Sequence, residues 1–425
     1  MMRHGKPGIR GRLVPVALIV ALALSGAAAP AALAADPIKI GFGMALTGAL
    51  AGNGKAALIA MQMWQEDVNK KGGLLGRKVE LIYYDDQTKP ATVPGIYTKL
   101  LDVDKVDLVV SGYGTNVIAP AMPIVIERKL VFISLFGMAV NEKFNYPYYF
   151  GIMPTGPEPL TDWSKGFFEV AMKQNPKPKT VAIAAADSEF AQNAAAGARQ
   201  NAKKHGLRVV YDKAYPPPTA DFTPITRAIQ AANPDLVYVA AYPPDAAGMV
   251  RAAHEIGLKP KMFGGGLVGP QYASLEKALG PMLNGIVNYH FFVPAPTLKF
   301  AGIDAFLKTY QERAKTAGVD ELGYYLPPYA YAYLQILGQA VEATKGLDQK
   351  KIGEYIRGHE FDTVAGKVKF APNGEWAKTR VLMVQYQNIE GNDVKFFEGP
   401  GHRVIVYPEE WKTGEIVYPY EKAKR

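Results

Sequence analysis

The stretch Ile38-Lys39-Ile40-Gly41-Phe42-Gly43-Met44 has the apolar, partly β-branched character of a buried strand. A glycine-containing loop follows, and the next segment carries apolar side chains at helical spacing. These are Ala57, Met61, Trp64 and Val68. The run Lys71-Gly72-Gly73 ends that helix, and a second apolar strand begins at Lys78. A strand, a helix and a strand in this order predict a βαβ unit with parallel strands.

The same alternation of short apolar runs and helical segments continues through most of the chain. Further strands are predicted at 108–111, 131–134, 181–186, 208–211, 236–241, 262–265 and 286–292, and helices at 192–205 and 245–256. From about residue 368 the pattern changes to short strands and turns. We therefore predict the α/β class.

Composition sets outer limits on what the protein can be. With 425 residues, 48% of them hydrophobic, the chain is long enough for two domains. It has no cysteine, which excludes disulfides, thiolate metal sites and a thiol nucleophile. Its formal net charge is +9. Because the Lys and Arg residues are scattered among acidic ones, we expect no nucleic-acid binding.

The first 34 residues have the features of a signal peptide. Four basic residues, Arg3, Lys6, Arg10 and Arg12, precede an apolar run at 13–29, and Ala32-Leu33-Ala34 resembles a cleavage site. Pro15 and Gly26 interrupt the run, which is shorter than the roughly 20 residues that a membrane span needs. We expect cleavage near Ala34, export to the periplasm, and a mature charge of 9 − 4 = +5.

Several short motifs resemble those of the leucine/isoleucine/valine-binding proteins, which are type I periplasmic binding proteins. They are Ile38-Lys39-Ile40-Gly41, Leu46-Thr47-Gly48, Asp67 to Gly73, Leu75-Gly76-Arg77, Tyr84-Asp85-Asp86, 177–183, 235–238, Ala241-Tyr242 and Gly257-Leu258-Lys259. The resemblance covers nearly the whole mature chain and is weakest after Val381.

The resemblance implies two doubly wound parallel-sheet lobes joined by a three-strand hinge, with ligand held in the cleft by lobe closure. We expect residues 35–157 and 290–378 in the N-terminal lobe, and residues 158–289 and 379–425 in the C-terminal lobe. The proline-rich stretch 153–159 suits a first crossover.

The segment from Ser111 to Asn116 follows a predicted strand and precedes a helix predicted at 121–127, where ligand sites of such folds lie. Gly112 and Gly114 let a ligand approach the backbone, Tyr113 between them is expected to line the cleft, and the helix amides suit a carboxylate. The resemblance implies that the hydroxyl of Thr115 grips that carboxylate. Alternatively, Thr115 or Asn116 only caps the helix.

Other contacts implied by the resemblance fall on aromatic and small residues. Phe136, Gly137 and Met138 end the next strand, and Phe190 and Tyr242 match aromatic positions that close over the ligand from the other lobe. Phe136 and Met138 could equally be core residues, and Phe190 and Tyr242 could be packed aromatics.

The expected pocket lacks the acid that pairs with an amino-acid ammonium group. Gly266 stands where the family has that acid, and Asp245 could replace it only if its loop bends inward. Asn53 lies where relatives often have an aromatic residue, and a cluster of tyrosines lies in the third-crossover region. These are Tyr324, Tyr325 and Tyr329. We therefore expect a hydrophobic or aromatic carboxylate without an α-amino group.

We predict a transport protein that is not an enzyme, with no catalytic residues, no metal and no cofactor. The implied partners are a small organic ligand and an ABC permease of the inner membrane, and we expect a monomer. The alternatives are a binder of branched-chain amino acids or amides, and a ligand-sensing receptor domain of the same fold. A hydrolase would need a nucleophile and base pair, which the sequence does not place.

Overall fold

The computed structural model describes residues 36–217 and 219–424, together with residues 1, 4, 5, 8 and 11. Residues 36–425 form one compact unit. The predicted signal peptide lies almost entirely outside the described residues.

Strands and helices alternate as predicted through most of the chain. The strands are β1 (Ile38–Met44), β2 (Val79–Asp85), β3 (Leu108–Tyr113), β4 (Phe132–Leu135), β5 (Tyr149–Gly151), β6 (Thr180–Ala186), β7 (Arg208–Tyr215), β8 (Leu236–Ala241), β9 (Met262–Leu267), β10 (Val287–His290), β11 (Glu360–Thr363), β12 (Gly366–Lys369), β13 (Leu382–Tyr386) and β14 (Arg403–Tyr407). The helices are α1 (Ala51–Lys70), α2 (Val93–Asp102), α3 (Thr115–Ile118), α4 (Met122–Glu127), α5 (Val140–Phe144), α6 (Pro159–Met172), α7 (Glu189–Lys204), α8 (Thr223–Ala231), α9 (Pro243–Glu255), α10 (Ala273–Leu279), α11 (Ile303–Ala317), α12 (Pro327–Thr344) and α13 (Gln349–Gly358).

The first sheet has the strand order β2-β1-β3-β4-β5, and its neighbouring strands are all parallel. The chain winds outward in both directions from the β1–β3 pair. A crevice forms at the carboxyl ends of the strands where the winding direction reverses, so this pair marks the expected position of a ligand site.

The second sheet has the order β14-β13-β10-β9-β8-β6-β7. Strands β10, β9, β8, β6 and β7 run parallel, whereas β13 and β14 add an antiparallel edge. Strands β13 and β14 both lie after residue 368, in the part of the chain where short strands and turns were predicted. The predicted α/β class with two doubly wound lobes is confirmed.

The chain passes between the two sheets three times. We call residues 152–158, 291–302 and 370–381 the first, second and third crossovers, and together they form the hinge. Helix α12 returns to the first sheet, where the Tyr333 hydroxyl donates to the Ser111 carbonyl at 3.2 Å. The Gly151 amide donates to the Gly374 carbonyl at 2.8 Å, so the first and third crossovers run side by side. The exact lobe boundaries stay a prediction.

Candidate ligand-binding site

The carboxyl ends of strands from both sheets face each other across a closed cleft. The Phe190 amide at the start of α7 donates to Asn116 Oδ1 at 3.1 Å, and Asn193 Nδ2 donates to the Met138 carbonyl at 3.0 Å. Asn53 on α1 bonds the Tyr272 hydroxyl of the other lobe. These direct bonds hold the two lobes together.

A small cavity remains inside the closed cleft. Its volume is about 10 Å³, room for roughly one water molecule. Its walls are aromatic and apolar side chains plus one glycine, drawn from both lobes. They are Tyr113, Gly114, Phe136, Met153, Trp163, Phe190, Tyr242, Val268 and Tyr325. The expected ligand would need more room, so the lobes must open to admit it.

Gly114 and Tyr242 meet at one end of this cavity. Gly114 has φ +102°, and a Cβ at this position would lie 3.2 Å from the Tyr242 hydroxyl. That hydroxyl is buried, is turned toward the amides of Thr115 and Asn116, and makes no hydrogen bond of good geometry within the described chain. Burial raises the Tyr242 pKa well above its usual value, so the hydroxyl stays protonated. Two amides and a hydroxyl thus converge where an anion could be held.

Neither Thr115 nor Asn116 caps the helix through its side chain. Gly114 stands at the cap position of α3 without a side-chain bond. The Thr115 hydroxyl accepts from the Met138 amide at 3.0 Å, and Asn116 bonds across the cleft instead. The predicted grip of Thr115 on a carboxylate stays a prediction, and the hydroxyl proton remains available to donate.

Phe136 stands at the centre of an aromatic cluster behind the cavity. Its ring centroid lies 5.0 Å from that of Phe291, 5.2 Å from Tyr325 and 5.1 Å from Tyr329. It has φ +64°, which is unfavourable for a bulky side chain. Strained residues of this kind concentrate at functional sites.

Gly137 and Met138, the two residues that follow Phe136, lie behind the cavity wall. Gly137 packs on the Ser134 and Tyr149 hydroxyls, where a Cβ would come within 2.5 Å and 2.9 Å of them. Met138 is fully buried, and its backbone rather than its thioether makes the bonds to Thr115 and Asn193. Both residues support the site from its outer side.

None of the described residues that line the cavity carries a carboxylate. Gly266 packs against Tyr238 and Val239, and a Cβ there would lie 2.9 Å from both the Tyr238 hydroxyl and the Val239 carbonyl. Asp245 lies in the first turn of α9, where burial raises its pKa to about 6. Besides burial, the charge of Asp245 contributes to the raised pKa of Tyr215, which belongs to the same lobe. Asp245 is not among the residues that line the cavity.

A cluster of four tyrosine hydroxyls lies next to the cavity, and two of its members, Tyr272 and Tyr289, were not predicted from the sequence. The Tyr289 and Tyr325 hydroxyls are 2.9 Å apart, and Tyr113 approaches Tyr272, Tyr325 and Asn53. Burial raises the pKa of each of these four tyrosines, so they act as neutral donors and acceptors. Tyr272 follows a loop and Tyr289 lies in β10, and neither belongs to a motif that could have revealed it.

Within the described residues there is no group of three or more His, Cys, Asp or Glu side chains arranged to hold a metal ion. In the same part of the chain, no helix is both long and apolar enough to cross a membrane.

Comparison with known proteins agrees with this architecture. Residues 37–392 match a family model described as periplasmic binding protein. The chain is 25% identical over 360 residues to the leucine-, isoleucine-, valine-, threonine- and alanine-binding protein of Pseudomonas aeruginosa, covering 84% of this chain and 92% of that protein.

Two solved structures share the fold. A leucine-binding protein from Thermotoga maritima superposes with a TM-score of 0.70 at 19% identity, covering 83% of this chain and 96% of that one. A solute-binding protein of an ABC transporter from R. palustris, in complex with benzoate, also gives 0.70, at 17% identity and with 84% and 94% covered. The chain therefore belongs to the type I periplasmic binding proteins of the leucine/isoleucine/valine-binding family.

Proposed function

We propose that this protein captures a small hydrophobic or aromatic carboxylate that lacks an α-amino group, by closing its two lobes around it. The observation that carries this proposal is the composition of the cavity wall, which is mainly aromatic and, among the described residues, contains no acidic side chain. An ammonium group buried there would have no anionic partner, and such an uncompensated charge costs several kcal/mol.

The two ends of the cavity suit the two ends of an aromatic acid. The Thr115 and Asn116 amides, the Thr115 hydroxyl and the Tyr242 hydroxyl can donate to a carboxylate. The rings of Phe136 and Phe190 can pack on an aromatic body. In this arrangement a ligand touches both lobes, so it binds the closed form better than the open form and shifts the population toward closure.

The fold neighbour in complex with benzoate supports the view that this fold can hold an aromatic acid. A relative named as a binder of leucine, isoleucine, valine, threonine and alanine favours the alternative, an aliphatic amino acid. For that ligand, Asp245 or another acid would have to turn toward the cleft on binding.

The delivery role follows from family membership. We propose that the exported, monomeric protein works in the periplasm and passes its ligand to an ABC permease of the inner membrane, without catalysis. A sensor domain of the same fold is the second candidate. Uptake assays in a strain lacking the protein would separate the two, since only a transport component limits ligand accumulation.

The ligand class can be tested by calorimetric titration of residues 35–425. We expect saturable binding of benzoate or a phenylpropanoid acid, weak or absent binding of the matched amide benzamide, and no binding of leucine or valine. Micromolar or tighter binding of leucine with no response to the aromatic acids would overturn the proposal. The fold and the family would stand in either case.

A further inference from the structure

A second pocket lies at the hinge, on a different part of the surface from the cleft cavity. It encloses about 400 Å³ and shares no lining residue with that cavity. Phe300 of the second crossover, Trp376 of the third crossover and Trp411 supply aromatic walls. Lysines of the β11–β12 hairpin and the third crossover also line it. We call this space the hinge pocket.

Arg380 forms part of this pocket and is only 7% exposed. Its guanidinium carbon lies 4.4 Å from the ring centroid of Phe300 and 4.8 Å from that of Trp376. Nη2 donates to the Tyr329 hydroxyl at 2.9 Å, while buried Nε makes no hydrogen bond within the described chain. In that same part of the chain no acidic group pairs with Arg380. A buried cation held only by rings and one hydroxyl favours an anion nearby.

The other charges of the pocket leave the balance positive. Lys367 is paired with Glu360 at 3.0 Å and with Asp362 at 3.2 Å, and Lys378 is 3.6 Å from Glu410. Lys369 and Glu360 line the pocket as well and stand opposite each other in the β11–β12 pairing, but Lys369 forms no ion pair within the described chain. Four cations thus stand against three carboxylates, which leaves a balance of +1, and Arg380 is the buried cation that no acid of the described chain pairs.

Trp376 adds a second unsatisfied donor. Its indole Nε1 is buried and has no partner among the described residues, like Nε of Arg380. A buried donor without an acceptor destabilises the folded state, so such groups usually have a function or a ligand. Both groups are hydrogen-bond donors, so the missing partner in each case is an acceptor.

We propose that the hinge pocket binds an aromatic organic anion, with its carboxylate near Arg380 and Trp376 and its ring among the aromatic walls. The site also joins the crossovers. The Arg380 amide of the third crossover donates to the Pro154 carbonyl of the first at 2.9 Å, and its guanidinium rests on Phe300 of the second. An anion bound here stabilises one arrangement of the hinge, and so acts on the opening of the cleft.

The four tryptophans of the chain allow a direct test with 5-fluorotryptophan and fluorine NMR. Trp376 and Trp411 report on the hinge pocket, Trp163 on the cleft, and Trp64 on neither of these two sites. Benzoate is the probe, and neutral benzamide is its control. We expect benzoate, but not benzamide, to shift the Trp376 and Trp411 resonances saturably.

A charge variant separates local binding from movement of the hinge. Lys369→Glu should raise the benzoate concentration at half-shift for Trp376 and Trp411 by about three- to tenfold, because it reverses an exposed charge beside the anion. The midpoint for Trp163 should move less than these two, because the change reaches the cleft only through the hinge. Exposed Lys308 on α11 does not line the pocket, so Lys308→Glu should change neither midpoint.

Three outcomes would overturn the proposal. The first is a response of Trp163 alone, or of no tryptophan. The second is an equal response to benzamide. The third is a common midpoint for Trp163, Trp376 and Trp411 that Lys369→Glu does not change, since the hinge signals would then only follow closure of the cleft.

Discussion

At the scale of single residues, the expected chemistry of the cleft rests on backbone conformation as much as on side chains. Gly114 and Phe136 both have positive φ, and both line the cavity. The sequence could predict the glycine, because glycine before a helix permits close approach to the backbone. It could not predict Phe136, since a bulky residue with φ +64° is held there by contacts from distant parts of the chain.

Gly114→Ala should impair both the folding of the protein and the closing of the lobes. The φ of +102° costs a non-glycine residue about 1–3 kcal/mol, and the added methyl would press on the Tyr242 hydroxyl only when the lobes are closed. We expect ligand affinity to fall about tenfold or more in a calorimetric titration. Gly95→Ala is the matched control, because Gly95 is exposed in α2 and has open space for a methyl group. It should stabilise the protein by about 0.5–1 kcal/mol and leave affinity unchanged.

Thr115→Val tests the proposed carboxylate grip. Valine keeps the shape but removes the hydroxyl, so the ligand would lose a donor and the Met138 amide its acceptor. We expect a loss of stability of about 1 kcal/mol in urea unfolding, together with at least tenfold weaker binding of the aromatic acid. Thr115→Ser retains the hydroxyl and should bind nearly as well as the wild type. Equal affinity in Thr115→Val and wild type would remove Thr115 from the site.

At the scale of elements, the long strands and helices follow from the sequence, whereas short ones do not. The helix expected at 121–127 begins at Thr115 and continues through a single 3₁₀ turn into α4. Pro120 and Pro123 each stand in the first turn of a short helical piece, where proline is tolerated, although in sequence they read as breakers. Strand β5 has only three residues, too few to show a periodic pattern.

The third crossover carries a buried carboxyl group that should make stability depend on pH. Glu375 is 2% exposed, neither oxygen has a hydrogen-bond partner in the described structure, and burial, with a contribution from Glu142, raises its pKa to about 8. The folded state therefore binds the proton more tightly than the unfolded state, whose pKa is about 4.3. The contribution of Glu375 to the free energy of unfolding is therefore present in full below about pH 4.3, and it is lost as the pH rises toward 8.

Glu375→Gln removes this ionisation. Its stability relative to wild type should rise between pH 5 and pH 8, by at most about 1.4 kcal/mol per pH unit, when both are unfolded in urea. The matched control is Glu312→Gln, which makes the same substitution at an exposed position on α11. A difference for Glu375→Gln that stays constant with pH would show that the carboxyl group ionises freely in the folded protein.

At the scale of the whole molecule, the closed cleft and its cavity of about 10 Å³ imply that ligand enters through an open form. The architecture that permits this could be predicted from the strand and helix alternation together with the family resemblance. The ligand could not, because Tyr272 and Tyr289 reach the cleft from segments that carry no motif, and only the packing of two lobes brings them beside Tyr113.

A reducible crosslink between the lobes tests whether opening is required for binding. Lys143 on α5 and Glu189 on α7 form an ion pair between the lobes, and the chain has no cysteine of its own. Lys143→Cys with Glu189→Cys, joined by a short bifunctional methanethiosulfonate in the ligand-free protein, should therefore abolish binding until a reductant restores it. The matched control is Arg199→Cys with Asp212→Cys, a pair within the C-terminal lobe. This variant should bind ligand normally both when crosslinked and after reduction. Full-rate binding to the crosslinked Lys143–Glu189 variant would mean that ligand reaches its site without separation of the lobes, and that the hinge serves the release step alone.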